Sequence, residues 1–338
     1  MPLTFVRIAR LSVLIVLLLT VSGAAGAEAP AEAALDIGDG NSVELVTVPA
    51  GKFEMGAVEA VPESPMVGIA IMASGGGLVV ALVLFILGRS MLTRERPRFS
   101  LGALLVGVLA LGAGGVGAMR YRAALRDQSS TVALAYERPR HPVTITRPFM
   151  MGRFCVTQQQ FDHVMKANFS FFRDPDKPVE NVSWNEAAAF CSRVSSLTQK
   201  TVRLPTEAEW EYACRAGSTA RFSFGDSEKE LFKYAWYAET SKDSTHTTAD
   251  SVKSLKPNAF GLYDMHGNVL EWCGDWFSEH YYANSPPLDP PGAATGSLRV
   301  IRGSAWLDPA DRCRASTRNA LKPDHRGYSL GFRIVVEK

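Results

Sequence analysis

The chain has 338 residues, of which 36 are Lys or Arg and 34 are Asp or Glu, so its formal net charge is +2. A balance this close to neutral gives no reason to expect a nucleic-acid-binding protein, which usually carries a basic patch. Hydrophobic residues make up 46% and charged residues 21%, which excludes a disordered chain, a collagen and a disulfide-dense miniprotein. A membrane protein is not excluded, because the apolar residues are concentrated in the N-terminal third.

The N-terminus has the pattern of a secretory signal peptide. Arg7 and Arg10 precede an uncharged run, 11–27, which ends in an Ala-Gly-Ala tripeptide. This order of basic, apolar and small residues is typical of a cleaved signal. An uncleaved anchor is the alternative, although the run is short for a helix that spans a bilayer. We therefore predict a signal peptide over residues 1–27.

Residues 28–65 are predicted to form the opening segment of an extracytoplasmic domain. Within them, residues 43–56 read VELVTVPAGKFEMG. The alternation of apolar and polar side chains predicts one or two short strands around the Pro-Ala-Gly turn.

Two uncharged runs follow, 23 residues over 66–88 and 20 residues over 100–119. Each is long enough to cross about 30 Å of hydrocarbon as a helix. A pair of buried helices is the alternative, but glycines at small-xxx-small spacing, as in Ala73 and Gly77, favour close packing of helices in a membrane. We expect a transmembrane hairpin over residues 66–119.

The orientation of this hairpin follows from the charges between the two runs. The link at 89–99 holds four arginines against the single acidic residue Glu95, and short basic links are usually cytoplasmic. The chain from about residue 120 onward would then lie outside the cytoplasm. The expected location is the inner membrane, with the main domain periplasmic or extracellular.

The C-terminal two-thirds carry five motifs in order. They are HPVTITRPFMMGRFCVTQQQF from His141, KPVENVSWNEAAAFCSRVSSLTQKTVRLPTEAEWEYACRAG at 177–217, KPNAFGLYDMHGNVLEWCGDWF at 256–277, RVIRGSAW at 299–306 and GFRIV at 331–335. Together they resemble the formylglycine-generating enzyme family, also called sulfatase-modifying factor domains. The resemblance covers about 137–338, and the segment 43–56 is similar to the family's opening strands.

The resemblance implies an α+β fold, a loop-rich variant of the C-type-lectin fold with short strands. Two short helices are predicted from the residues themselves. Ser183 or Asn185 can cap the first, and Thr206 with Glu209 forms a capping box at the start of the second. On this prediction the domain is interrupted by the inserted transmembrane hairpin.

A calcium site is expected in the segment GNVLEW. The Asn268 amide, the Glu271 carboxylate and nearby main-chain carbonyls are the hard oxygen ligands that calcium prefers. From the residues alone, a simple turn is the favoured interpretation of this segment. The resemblance implies a structural calcium ion here, with Asn268, Val269 and Glu271 as ligands.

The enzymatic members of the family are expected to oxidise a sulfatase cysteine to formylglycine with copper and oxygen. The resemblance places their Cys-x-x-x-x-Cys pair just after a Gly-Ser dipeptide. Ser304 matches here, but Leu307 stands where the first cysteine would be, and Cys313 alone lies nearby. Because a single thiolate is a poor copper site, copper is doubtful, and Ser304 and Cys313 are left as the candidate catalytic residues.

The five cysteines would leave one thiol unpaired if two disulfides formed. The family pairs its equivalents of Cys191 and Cys214 with two C-terminal cysteines, and one of those positions is Ala315 here. Cys313 lies two residues away and would face the same side of a strand. We predict a disulfide between Cys214 and Cys313, with buried free thiols as the alternative.

The leading prediction of function is a membrane-anchored, extracytoplasmic binding or scaffold module without formylglycine-generating activity. The alternative is an oxidoreductase that modifies a sulfatase cysteine. The resemblance implies a protein or peptide ligand, and we expect contact with the side chains that match the family's substrate site. Those residues are Trp272, Arg302, Ser304 and Trp306.

Overall fold

A computed structural model describes residues 32–57 and 136–338 of the chain, which form a mixed α/β domain. Eleven strands lie in these ranges, and most of them are short. They are β1 Glu32–Gly38, β2 Asn41–Val48, β3 Gly51–Met55, β4 His141–Ile145, β5 Phe149–Gly152, β6 Val202–Arg203, β7 Leu270–Trp276, β8 Arg299–Arg302, β9 Arg318–Leu321, β10 Leu330–Gly331 and β11 Val335–Glu337.

The largest sheet combines the two ends of the described chain. Its strand order is β1-β2-β5-β11-β6, so the last strand lies between two strands from the middle of the chain. Side chains of β2 alternate between two hydrophobic clusters, with Leu45 in one and Val46 in the other. Because successive side chains of a strand face opposite sides, both faces of this sheet are covered by the core.

Strand β3 joins the opening segment to the rest of the domain. This strand pairs antiparallel with β4, with Phe53 opposite Val143, and the Ala57 N–H then donates to the Glu137 carbonyl at 3.0 Å. The prediction of short strands around the Pro-Ala-Gly turn is confirmed, since β2 and β3 flank that turn.

A second sheet of four strands has the order β10-β7-β8-β9 and carries three of the residues predicted to be functional, Glu271, Trp272 and Arg302. Strand β7 pairs antiparallel with β8, with Trp272 opposite Ile301. The described residues also form helices α1 Gln158–Met165, α2 Trp184–Thr198, α3 Glu207–Arg215 and α4 Thr248–Ser254, of which α3 contacts β7 and β8.

The two predicted helices, α2 and α3, begin where their capping residues indicated. The Ser183 side chain accepts the Glu186 N–H, and the Thr206 side chain accepts the Glu209 N–H. Helix α3 ends in a left-handed residue at Ala216, one position before the glycine that can stop a helix in this way.

The predicted fold class is wrong in one respect, the inserted transmembrane hairpin. Within 32–57 and 136–338, no helix combines the length and apolar character needed to cross a bilayer. The longest helix there, α2, has 15 residues, or about 22 Å at 1.5 Å per residue. The runs predicted to span the membrane, 66–88 and 100–119, and the signal peptide at 1–27 lie outside the described residues. The structure therefore does not support the predicted membrane location.

Candidate functional site

The segment that follows β8 places Trp306 at the edge of the second sheet. Gly303 adopts a left-handed φ of 78°, a conformation that favours glycine. The Trp306 N–H donates to the Asn268 carbonyl at 2.9 Å. Trp306 itself is 9% exposed, whereas Leu307, the next residue, is 42% exposed.

A second loop, residues 168–173, brings several phenylalanines to the surface. The Glu180 carboxylate accepts the main-chain N–H groups of Phe171 and Phe172, and the Asn181 side chain donates to the Phe169 carbonyl at 2.9 Å. The backbone of this loop is therefore held by buried and half-buried polar side chains. Its aromatic side chains stay outside, and Phe171 is 72% exposed.

Four rings from three loops contact one another in a closed circuit. The ring centroids are 5.0 Å apart for Phe171 and Phe172, 5.4 Å for Phe172 and Trp306, 6.1 Å for Trp306 and Tyr328, and 6.3 Å for Tyr328 and Phe171. We call these four residues, Phe171, Phe172, Trp306 and Tyr328, the aromatic surface. Phe171 and Tyr328 are its exposed members, at 72% and 53%, and exposed apolar side chains that cluster can mark an interaction site.

The two candidate catalytic residues are buried. Ser304 is 1% exposed, and its hydroxyl donates to the Arg312 carbonyl at 2.6 Å. Cys313 is fully buried, and its thiol donates to the Pro309 carbonyl at 3.6 Å. Burial raises the pKa of the Cys313 thiol, so the thiolate that would act as nucleophile or copper ligand is disfavoured.

The predicted disulfide between Cys214 and Cys313 is absent, because all five cysteines of the described residues are buried free thiols. The His266 imidazole contacts both residues. Its nitrogens lie 3.9 and 4.0 Å from the Cys214 sulfur, and its Nδ1 donates to the Cys313 carbonyl at 2.8 Å. Burial lowers the pKa of His266 to about 4, so the ring is neutral near pH 7.

Two of the predicted ligand-binding residues, Trp272 and Arg302, lie in the core. The Trp272 indole donates to the Val182 carbonyl at 3.0 Å. The fully buried Arg302 guanidinium donates to the main-chain carbonyls of Ser316 and Thr317, each at 2.8 Å, and pairs with a buried glutamate. Of the four predicted residues, Trp306 alone belongs to the aromatic surface.

The Asn268 side chain, predicted to bind calcium, hydrogen-bonds to the main chain of another residue instead. Its Oδ1 accepts the His246 N–H at 2.9 Å, and its Nδ2 donates to the His246 carbonyl at 3.1 Å. Asn268 has a left-handed φ of 70°. Val269 is 1% exposed. Asn268 thus joins the segment of His246 to the turn that precedes β7.

The Glu271 carboxylate accepts hydrogen bonds from cationic and from neutral donors. The Arg333 Nε and Nη2 donate to its two carboxylate oxygens at 2.6 and 2.7 Å. The Trp210 indole donates to it at 2.7 Å, and the Cys155 thiol donates at 3.2 Å. Because a buried guanidinium already neutralises this carboxylate, the donor set does not fit a calcium ion held by Asn268 and Glu271. No group of three His, Cys, Asp or Glu side chains suited to a metal occurs in 32–57 and 136–338.

Most of the aromatic surface was not predicted from the sequence. Phe171, Phe172 and Tyr328 were not predicted as site residues, although one signal was present. Residues 168–173 read NFSFFR, and three phenylalanines within four positions are unusual in a polar loop without strand or helix periodicity.

Comparison with known proteins agrees with the motifs. The family profile described as "Sulfatase-modifying factor enzyme 1-like domain" matches residues 112–338. The formylglycine-generating enzyme of Streptomyces coelicolor is 41% identical over 173 residues, which is 48% of this chain and 53% of that protein. The inactive C-alpha-formylglycine-generating enzyme 2 of Bos taurus is 34% identical over 170 residues, 47% of this chain and 50% of that protein.

The fold is also similar to that of a solved structure, Treponema denticola variable protein 1. The TM-score is 0.62 at 25% sequence identity, and the likeness covers 91% of this chain and 100% of that one. The chain spans about half the length of the curated relatives named above. Since the family profile matches about two-thirds of its residues, this chain belongs to the family of sulfatase-modifying factor enzyme 1-like domains.

Proposed function

We propose that this chain is a binding module of its family that does not generate formylglycine. The proposal is supported by the two positions that would have to supply copper ligands, because neither holds an accessible thiol. Leu307 is exposed where the resemblance places the first catalytic cysteine, and Cys313 is fully buried. One protonated thiol in an apolar cluster with Phe222 and Leu231 is a poor site for Cu(I), which needs accessible soft ligands.

The comparisons are compatible with this proposal. One relative, at 34% identity, is itself described as inactive. Others, including the Streptomyces coelicolor protein at 41% identity, are described as formylglycine-generating enzymes. The competing function is therefore the formation of formylglycine from a sulfatase cysteine, and it would have to proceed without a cysteine pair after Ser304.

Co-expression with a sulfatase peptide that contains the Cys-x-Pro-x-Arg motif separates the two functions. We expect the peptide to keep its cysteine, and mass spectrometry of the purified peptide measures this. The Streptomyces coelicolor enzyme, co-expressed in the same way, is the positive control. Conversion of the cysteine to formylglycine by this chain would overturn the proposal.

A further inference from the structure

The turn at 222–225 places a serine hydroxyl against a buried histidine. The Phe222 N–H donates to the Gly225 carbonyl at 3.0 Å, and the Gly225 N–H donates back to the Phe222 carbonyl at 3.3 Å. Ser223 and Phe224 are therefore the two central residues of a closed turn. The Ser223 Oγ lies 2.9 Å from the His266 Nε2, which is hydrogen-bonding distance for a hydroxyl and an imidazole.

The hydrogen bonds of His266 determine which of its ring nitrogens carries the proton. Its Nδ1 lies 2.8 Å from the Cys313 carbonyl oxygen. A carbonyl can only accept, so Nδ1 is the protonated nitrogen. The Ser223 main-chain N–H donates to Nε2 at 3.1 Å, so Nε2 presents its lone pair. The ring is thus a neutral imidazole whose basic nitrogen faces the Ser223 hydroxyl.

The orientation of this imidazole is held from several sides. His266 is 2% exposed, and the rings of Phe222 and Phe224 each meet it edge to face at a centroid distance of 5.7 Å. The Cys313 carbonyl holds the opposite nitrogen. A nucleophile, a base within hydrogen-bonding distance and a third group that orients the base are the arrangement that activates a serine hydroxyl.

The turn at 222–225 is reachable from solvent. Ser223, Phe224 and Gly225 are half-buried, and a Cβ built on Gly225 would meet no atom within 4 Å apart from its chain neighbours. Within 32–57 and 136–338, the Phe224 main-chain N–H donates to no other group. The N–H of the residue after a nucleophile is a common donor to the oxyanion that forms during acyl transfer.

The rings beside Ser223 indicate what kind of acyl group would be accepted. Phe224 stacks on Tyr234, with ring centroids 4.2 Å apart and an interplanar angle of 11°, and both residues are half-buried. Two stacked rings that are partly exposed offer apolar surface to a hydrocarbon chain. This surface favours a short, uncharged acyl chain over a charged one.

We propose that Ser223 is a nucleophile activated by His266, and that this pair transfers short acyl groups from esters to water. The Ser223 Oγ attacks the ester carbonyl carbon while its proton passes to the His266 Nε2. The bond from that carbon to the alcohol oxygen breaks, and the alcohol leaves with the proton from Nε2. Water then attacks the acyl-serine ester, its proton passes through Nε2 to the Ser223 Oγ, and the carboxylic acid is released. This activity goes beyond the proposed binding function and uses neither the Ser304 hydroxyl nor the Cys313 thiol.

Reaction of the full chain with p-nitrophenyl butyrate tests the nucleophile. Absorbance measures the release of p-nitrophenol, and mass spectrometry of proteolytic peptides locates the acyl group. We expect Ser223 to be acylated about 10²-fold or more faster than the exposed Ser227, as for a serine with a positioned general base. Ser223→Ala should reduce the release of p-nitrophenol to background. The matched control is Ser227→Ala, since the Ser227 side chain caps no helix and its loss should leave the rate unchanged.

The His266→Gln variant tests the base, because a glutamine side chain can donate and accept hydrogen bonds but cannot take up the serine proton. We expect acylation of Ser223 to fall about 10²-fold or more, while the circular dichroism spectrum stays that of the parent. If this variant does not fold, the ratio of Ser223 to Ser227 acylation in the parent chain decides.

Four results would overturn the inference. They are equal acylation of Ser223 and Ser227, acylation confined to other residues, release of p-nitrophenol that survives Ser223→Ala, and full activity of a folded His266→Gln variant. None of these results bears on formylglycine formation, so this activity and the proposed function can fail separately.

Discussion

Glu271 shows how a residue that matches a metal-binding pattern can serve the core instead. Its carboxylate is 1% exposed and accepts from Arg333, Trp210 and Cys155. The sequence indicated oxygen ligands in the right order, but a ligand pattern does not show whether a cation from a distant part of the chain already pairs with the carboxylate. Arg333 is 62 residues away along the chain, so only the folded structure brings the two together.

This pairing predicts that chelation of divalent ions leaves the thermal midpoint of unfolding unchanged, since Arg333 already neutralises the carboxylate. Arg333→Met should instead lower the free energy of unfolding by about 3–5 kcal/mol, the usual cost of leaving a buried charge without its partner. Circular dichroism melts with and without EDTA measure both effects. A midpoint that falls on chelation and returns with added calcium would contradict this assignment.

The buried carboxyl of Glu180 should make the free energy of unfolding depend on pH. Burial raises the pKa of this carboxyl above its usual value, even though two main-chain N–H groups donate to it. The folded protein therefore holds the proton more tightly than the unfolded chain does. This stabilising contribution is complete below the unfolded pKa and is lost as the pH rises through the folded pKa.

The Glu180→Gln variant, which does not titrate, should gain stability relative to the parent as the pH is raised from 4 to 7. Urea unfolding at each pH measures the difference, and the exposed Glu239→Gln variant controls for the loss of one charge. A difference that stays constant over this range, or that is largest at pH 4, would refute the role of burial at Glu180.

At the scale of elements, local sequence signals predicted α2 and α3 because a capping box requires only residues within one turn. Helices α1 and α4 also carry such boxes, at Thr157 and Thr247. They were not predicted because they are only 8 and 7 residues long, with few apolar positions to establish a period.

The candidate site was only partly predictable, for a physical reason. Trp306 was expected near a ligand, and it lies in the aromatic surface. The exposure of Phe171 depends on Glu180 and Asn181, which hold its loop by hydrogen bonds that no periodic pattern reports. Trp272 lies on β7, where its indole is buried against Val182, and a motif does not reveal which residues of a strand face inward.

Helix α3 offers a test of the energetic value of a cap. Thr206→Ala removes the hydroxyl that accepts the Glu209 N–H at 3.1 Å, and we expect a loss of about 1 kcal/mol in the free energy of unfolding. Ser196→Ala, on the exposed side of α2, should change it by a few tenths at most. Chemical denaturation of both variants checks the prediction, which fails if the two losses are equal.

At the scale of the whole molecule, the fold is closed by strands from both ends of the described chain. Strand β11 pairs on one side with β5 and on the other with β6, so the last strand is an inner strand of the largest sheet. The sequence motifs identified this segment as GFRIV, but they did not place it between those strands. Pairing partners far apart in the chain are the part of a fold that local patterns specify least.

The hydrogen bond between Ala57 and Glu137 holds the ends of the two described ranges together. The two described ranges end beside each other, at the paired strands β3 and β4, and the Glu137 carboxylate is buried against Arg314. The main chains of Ala57 and Glu137 are thus within 3.0 Å of each other, although 78 positions, 58–135, separate the two ranges in the chain.

A short Gly-Ser linker in place of residues 58–135 should therefore give a protein with the same melting temperature. Calorimetry compares the two chains, and a large loss of stability would show that the domain needs the replaced residues. The β3–β4 junction would then be a position at which this domain tolerates the insertion of a long segment without a change in its core.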